Sequence, residues 1–187
     1  MLRIIAGSAR GRRIEAPEGR DTRPTLDRVR ENLFNMLQGR IPGARVLDLF
    51  AGSGALSLEA LSRGAAFAVL GDRDRAALRT EQRNIETLGF ADRTRQIPGD
   101  WERTVETLRS EGEQFGLIFL DPPYAMTDLR CMTEKLKPLL DGDGWIVLEH
   151  QAKAEIQCAE GFRVVKERTW GYCGVKMYEQ VRDSGIL

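Results

Sequence analysis

Asp121-Pro122-Pro123-Tyr124 places a hydrogen-bond acceptor, two rigid backbone positions and an aromatic face within four residues. That set suits the capture of an amine on an aromatic ring. The amino group of a nucleobase is a poor nucleophile because its lone pair is delocalised into the ring. The Asp121 carboxylate and the Pro122 carbonyl can accept from both N–H groups, fix their geometry and favour a pyramidal nitrogen. Two prolines restrict φ, so the acceptors are held in place before the amine arrives. Tyr124 offers a stacking face worth roughly 1–3 kcal/mol, which helps offset the few kcal/mol needed to extrude a base. Taken alone, the tetrad could also be an Asp-Pro turn closing a strand over a buried tyrosine.

A second constellation argues against that plain reading. Asp48-Leu49-Phe50-Ala51-Gly52-Ser53-Gly54 ends an apolar run and leads into a helical pattern. Glycines at such a place let a ligand approach backbone amides at a helix start. A dinucleotide fingerprint would need a small residue where Ser57 stands, and a P-loop would need a lysine that is absent. Asp48 would repel a pyrophosphate. S-adenosylmethionine carries an ammonium and a sulfonium and no phosphate, so the loop, with Phe50, Gly52, Ser53 and Gly54, suits that nucleoside.

Two further strand ends carry acids. Asp72 can accept both ribose hydroxyls of an adenosine; Asp74 competes for this role, and Asp72 is preferred because the apolar run stops at Leu70. Asp100 can accept the adenine amino group, with Trp101 against the ring. It reads equally well as the N-cap of WERTVETLRS, worth about 1 kcal/mol. His150 is expected to be structural: a sulfonium leaving group needs no acid, and the methylated amine can lose its proton to water or Asp121. Trp145 and Trp170 are expected to pack.

These residues need a scaffold that brings strand ends together. From Arg45 onward, apolar runs of four to six residues alternate with amphipathic segments: RVLDLF, ALSLEALSRG, AFAVLGD, DRAALRTEQRNIETLG, DRTRQIPGD, WERTVETLRS, FGLIFLDPP, DLRCMTEKLKPLL and GWIVLEH. The alternation predicts an α/β fold with a mainly parallel sheet covered on both faces. FRVVKERTW and VKMYEQV, joined by GYCG, predict an antiparallel hairpin at the sheet edge. Ahead of this body, residues 2–6 and 12–16 predict a β-hairpin, and Leu26, Val29, Leu33, Met36 and Leu37 predict a helix capped by Thr25. The expected division is an N-terminal arm over 1–40 and a catalytic domain over 41–187.

Composition narrows the partners. Of 187 residues, 42% are hydrophobic and 30% charged, which fits a soluble globular chain, and no apolar run approaches a membrane span. The start lacks the pattern of a secretory signal, so a cytoplasmic location is expected. Three cysteines without C-x-x-C spacing and one histidine imply free thiols and no metal site. The formal net charge is zero, yet residues 1–45 carry ten arginines against five acids, and the remainder carries 18 basic against 23 acidic residues. An arginine-rich arm on an acidic body suggests contact with phosphate, although a solvated surface would look the same.

The glycine loop, the acidic strand end and D-P-P-Y together resemble the class I amino-methyltransferases. R-I-I-A-G-x-x-R-G-R-R (Arg3 to Arg13) and T-R-P-T-x-D-R-V-R-E-x-L-F-N (Thr22 to Asn35) further resemble the RsmD family, bacterial enzymes that modify the N2 amino group of a guanine in 16S ribosomal RNA. The resemblance implies a Rossmann-like fold with a seven-stranded sheet. It implies that Asp121 through Tyr124 hold the target amine and that Asp48, Gly52, Gly54 and Asp72 hold the cofactor. Arg23, Pro24, Thr25, Arg28 and Arg30 would form a lid, with Arg10, Arg12 and Arg13 also facing RNA. The implied partner is 16S rRNA or an assembling small subunit, with no metal, no membrane and a monomeric enzyme. One departure stands out: the family has an aliphatic residue and Glu where this chain has Gly71-Asp72.

Overall fold

A computed structural model describes residues 2–16 and 24–181. The hairpin strands are β1 (Leu2–Arg3) and β2 (Arg13–Ile14), followed by α1 (Pro24–Met36). Thr25 lies within α1 and not at its cap. The body runs β3 (Arg45–Asp48), α2 (Ala55–Ser62), β4 (Phe67–Asp72), α3 (Arg75–Leu88), β5 (Thr94–Pro98), α4 (Trp101–Ser110), β6 (Phe115–Leu120), α5 (Arg130–Leu136), β7 (Leu140–Gln151), β8 (Phe162–Trp170) and β9 (Cys173–Gln180).

Seven strands form one sheet in the order β5-β4-β3-β6-β7-β9-β8. The first five are parallel, and β9 runs antiparallel between β7 and β8. This is the α/β, mainly parallel sheet with a closing hairpin that the periodicity predicts. Strand β8 is the exposed edge, with Arg163, Lys166 and a bulge between Val164 and Lys166, features that discourage pairing with another chain.

Alternating side chains feed two cores. Val46, Leu117, Phe119, Trp145, Val147, Val175 and Met177 meet α1, α2, α3 and the hairpin on one face. Leu47, Ile118, Leu120, Ile146 and Leu148 meet α4 and α5 on the other. The hairpin and α1 share the first core: Leu2, Ile4, Ile14, Val29, Leu33 and Phe34 are all buried in it, and the Phe34 ring lies 5.9 Å from that of Phe119. Trp145 is buried there and Trp170 packs against it, as expected of packing residues. No helix among the described residues is long and apolar enough to cross a membrane.

Candidate active site

Strands β3 and β6 are direct neighbours, with Asp48 opposite Phe119. Strand order reverses between them, β4 and β5 lying to one side and β7 to the other. The glycine loop therefore leaves β3, and the D-P-P-Y tetrad leaves β6, side by side at the carboxyl edge, where open α/β sheets bind ligands. A cavity of about 760 Å³ opens there. Leu49 and Phe50 line it from the glycine loop, Asp72 and Asp74 from the end of β4, Asp100 and Trp101 from the start of α4, and Asp121 and Pro123 from the tetrad. With Glu102 this makes five carboxylates against one guanidinium, that of Arg73. Such a wall opposes phosphates and favours a cationic guest.

The loop owes its shape to Gly52 and Gly54, at φ 60° and 76°, a conformation costly for other residues. A Cβ on Gly54 would also lie 3.0 Å from the Leu70 side chain. Asp72 braces the loop: one oxygen accepts from the Gly52 amide at 2.9 Å and the other from the Asp74 amide at 2.8 Å. Asp74 itself caps α3 by accepting from the Ala76 amide, and both carboxylates line the cavity. Asp100 caps α4 through the Arg103 amide at 2.9 Å, the N-cap of its expected readings, and also lines the cavity. The Ser53 carbonyl accepts from Asn84 at 2.8 Å, and Asn84 also exchanges hydrogen bonds with the Glu15 backbone, tying the loop to the hairpin.

Asp48 differs from the expectation of a cavity-facing carboxylate. It is 1% exposed, does not line the cavity, and accepts from the Ser57 hydroxyl at 3.1 Å. Burial pushes its pKa up to about 7; the Ser57 bond opposes that shift and the Asp72 charge adds to it. Glu81, wholly buried on α3, is pushed up to about 8, chiefly by burial, with Gln96 opposing and Asp48 and Asp72 reinforcing. Neither Glu81 nor its coupling to the loop carries a signal in the sequence, since an acid in an amphipathic helix reads as solvated.

At the tetrad, Pro122 is buried while Pro123 and Tyr124 are exposed. Tyr124 is 43% exposed, as a stacking platform requires, and not the buried ring of a plain turn. Partial burial, then Glu149, Cys173, Asp121 and Tyr172, push its hydroxyl up to about 12, so the phenol stays protonated near neutral pH. Sequence reasoning did not assign Glu149, Tyr172 or Cys173 to the site. The topology brings them in: β7 ends beside β6, and the β8–β9 turn, with Gly171 at φ 62°, returns to the same edge. His150 is buried, its Nδ1 lying 2.8 Å from the Gln151 carbonyl and its ring closing over Gly174, a packing position.

The arm splits its arginines. Arg30 is 6% exposed and donates to the Arg3 carbonyl and to Asp27, and burial lowers its pKa. This corrects its assignment to an RNA-facing surface. Arg12 donates to the carbonyls of Thr87 and Leu88, the end of α3, where a cation complements the helix dipole, while its side chain stays at the surface. Arg10, Arg12, Arg13 and Arg28 are all exposed, and Arg10 and Arg28 line a common cleft with Glu31 and Asp27. Arg23 falls outside the described residues. Glu59, buried on α2, receives the amides of Ile5 and Ala6 and the guanidinium of Arg63 at 2.7 Å, with Arg30 at 4.0 Å. Ser62 clasps Ala6 and Ala9, and a Cβ on Gly7 would collide with the Ser62 carbonyl.

All three cysteines are free thiols, and no cluster able to hold a metal occurs among the described residues. The chain matches the family model described as "Conserved hypothetical protein 95" over residues 2–179. It is 38% identical to YlbH of Bacillus subtilis, covering 96% of this chain and 99% of that one. It is 37% identical to ribosomal RNA small subunit methyltransferase D of Escherichia coli K12, covering 96% and 90%. The solved structure of yhhF from Escherichia coli superposes with a TM-score of 0.80 at 35% identity, covering 96% and 97%. At 15% identity the SMU.776 methyltransferase complexed with SAH shares the fold, with a TM-score of 0.69 over 84% of this chain and 50% of that one. With the switch-point cavity, the tetrad and the hairpin motifs in place, these matches show that the chain belongs to the RsmD family of methyltransferases.

Proposed function

We propose that this protein transfers a methyl group from S-adenosylmethionine to the N2 amino group of a guanine in small-subunit ribosomal RNA. The observation that carries the proposal is the adjacency of the glycine loop and the tetrad at one sheet edge, on a cavity walled by carboxylates. S-adenosylmethionine supplies an electrophilic methyl group on a cationic sulfur. The acidic wall suits that charge, Asp72 offers its remaining lone pairs to the ribose, and Phe50 and Trp101 offer faces to the adenine. Asp48 opposes the ligand's charge from behind the loop, through the field and not by contact.

On the other side of the edge, Tyr124 stacks on the extruded base. Asp121 and the Pro122 carbonyl accept from its amine and aim the nitrogen lone pair at the methyl carbon. A carbon–nitrogen bond forms as the carbon–sulfur bond breaks, the electron pair leaving with neutral S-adenosylhomocysteine, and the nitrogen then sheds a proton to Asp121 or water. Alignment of the two partners supplies most of the acceleration. The hairpin with α1 forms the RNA-facing unit through Arg10, Arg13 and Arg28, and residues 41–187 form the catalytic unit. The relative named for small-subunit ribosomal RNA supports this substrate class.

A labelled-methyl transfer assay offering DNA, naked rRNA and unmethylated small subunits, followed by nucleoside analysis, tests the reading. Label in N2-methylguanine from rRNA is expected. Label confined to N6-methyladenine in DNA would refute it.

A further inference from the structure

Parallel strands β6 and β7 pair Phe119 with Val147 and Leu120 with Leu148. The next positions in that register are Asp121 and Glu149. Phe119 and Val147 belong to the core beneath α1, so Asp121 and Glu149 fall on the same sheet face, one strand apart, where the parallel strands end. Glu149 lies within β7 and is half-buried, and after burial its charge is the next cause that pushes the neighbouring Cys173 thiol up. The charges of Asp121 and Glu149 both act on the Tyr124 hydroxyl, so both acids lie within electrostatic range of it.

We infer that Glu149 is a specificity-determining residue that accepts the N1–H of the target guanine while Asp121 accepts from its N2 amine. This rests on the proposed guanine-N2 reaction. The Watson–Crick edge of guanine presents N1–H and N2–H₂ as adjacent donors, whereas adenine presents a lone pair at N1. Two acceptors side by side match the first pattern and repel the second. A carboxylate has about four acceptor sites, so it can hold a protein partner and a donor from the base together. Tyr124 supplies stacking to either purine; the acidic pair supplies the distinction. A matched pair of such hydrogen bonds discriminates by about 10- to 100-fold.

The test uses the RNA substrate that the wild-type protein methylates, with the modified position mapped and then occupied by guanine or by 2-aminopurine. The analogue keeps the amine and replaces N1–H with a lone pair. Wild-type protein is expected to prefer guanine in kcat/KM by at least about tenfold. Glu149→Gln, whose amide can donate to that lone pair, should lose most of the preference while binding S-adenosylhomocysteine as the wild type does. Glu149→Asp, which keeps the charge but shortens its reach, should weaken the preference in the same direction. Equal rates on the two substrates with wild-type protein, or an unchanged preference in Glu149→Gln or Glu149→Asp, would overturn the inference while N2-methylguanine in the wild-type product left the reaction standing. A wild-type product that contains no N2-methylguanine would remove the reaction itself, and this assignment with it.

Discussion

The hairpin arm and the carboxyl edge are both crowded with charge, but they spend it in opposite directions. In the arm, Arg12 and Arg30 turn toward the fold, and the buried Glu59 gathers two amides and the Arg63 guanidinium. At the edge, Asp72, Asp100 and Asp121 open into the cavity even though Asp100 caps a helix and both oxygens of Asp72 brace the loop. A charge at a strand end is placed by topology, since the backbone must emerge there. A charge on a helix or hairpin can point either way, and neighbouring unsatisfied groups decide which.

Replacing Asp121 with Ala breaks the edge half of this contrast most sharply. Methyl transfer should fall by about 10²- to 10³-fold, the scale for removing a preorganised transition-state partner. Calorimetry should find binding of S-adenosylhomocysteine nearly unchanged, and loss of binding would show that Asp121 serves the cofactor instead. For the arm, Glu59→Ala strands the Ile5 and Ala6 amides and leaves Arg30 and Arg63 without their shared anion. Urea unfolding should show a loss of about 3–5 kcal/mol. A change under 1 kcal/mol, roughly the value of a surface pair, would mean that the arm docks by apolar packing alone.

The dry carboxyls behind the glycine loop sharpen the contrast through pH. Asp48 and Glu81 hold protons at about 7 and 8 in the folded chain, while the unfolded chain releases them near 4. The folded state therefore binds more protons between those values, and stability falls as pH rises from about 4 to about 8. Glu81→Gln should flatten that decline by about 1 kcal/mol per pH unit, measured by denaturation between pH 5 and 7. Because a cationic ligand favours ionised Asp48, binding of S-adenosylmethionine should tighten between pH 6 and 8 in the wild type and not in Asp48→Asn; parallel profiles would separate Asp48 from the ligand's charge.

The smallest effects lie on the arm's outer surface. Arg10→Ala with Arg28→Ala should lower the slope of log affinity against log salt by about 0.7–0.9 for each phosphate that is no longer neutralised. Arg12→Ala should leave the slope alone and reduce stability by about 1 kcal/mol, the scale of a helix-end cation. A reversed pattern would exchange the two arginine classes.

Much of the edge was legible from residue order. Strand periodicity marked out β3 through β7 and the closing hairpin, and D-P-P-Y and the glycine loop marked the ends of two strands that prove adjacent. Asp100 could not be resolved from sequence because capping and cavity lining use the same short side chain, and the structure has it doing both. Asp48 was misplaced because loop membership says nothing of which way a carboxylate turns, and Ser57 draws it inward. Arg30 was misread because an arginine on an amphipathic helix looks solvated until the Arg3 carbonyl and Glu59 come from elsewhere in the chain to meet it. Glu149 and Tyr172 depend on strand order, which places β7 next to β6 and returns the β8–β9 turn to the edge. No local pattern encodes that.

A crystal structure of the protein with S-adenosylhomocysteine bound tests most directly whether cofactor and amine meet at this edge. The account predicts the ribose at Asp72, the adenine between Phe50 and Trp101, and the sulfur turned toward Asp121 with room for a methyl group and a base amine between them. An adenosyl group seated elsewhere on the molecule, or a sulfur facing away from the tetrad, would contradict it.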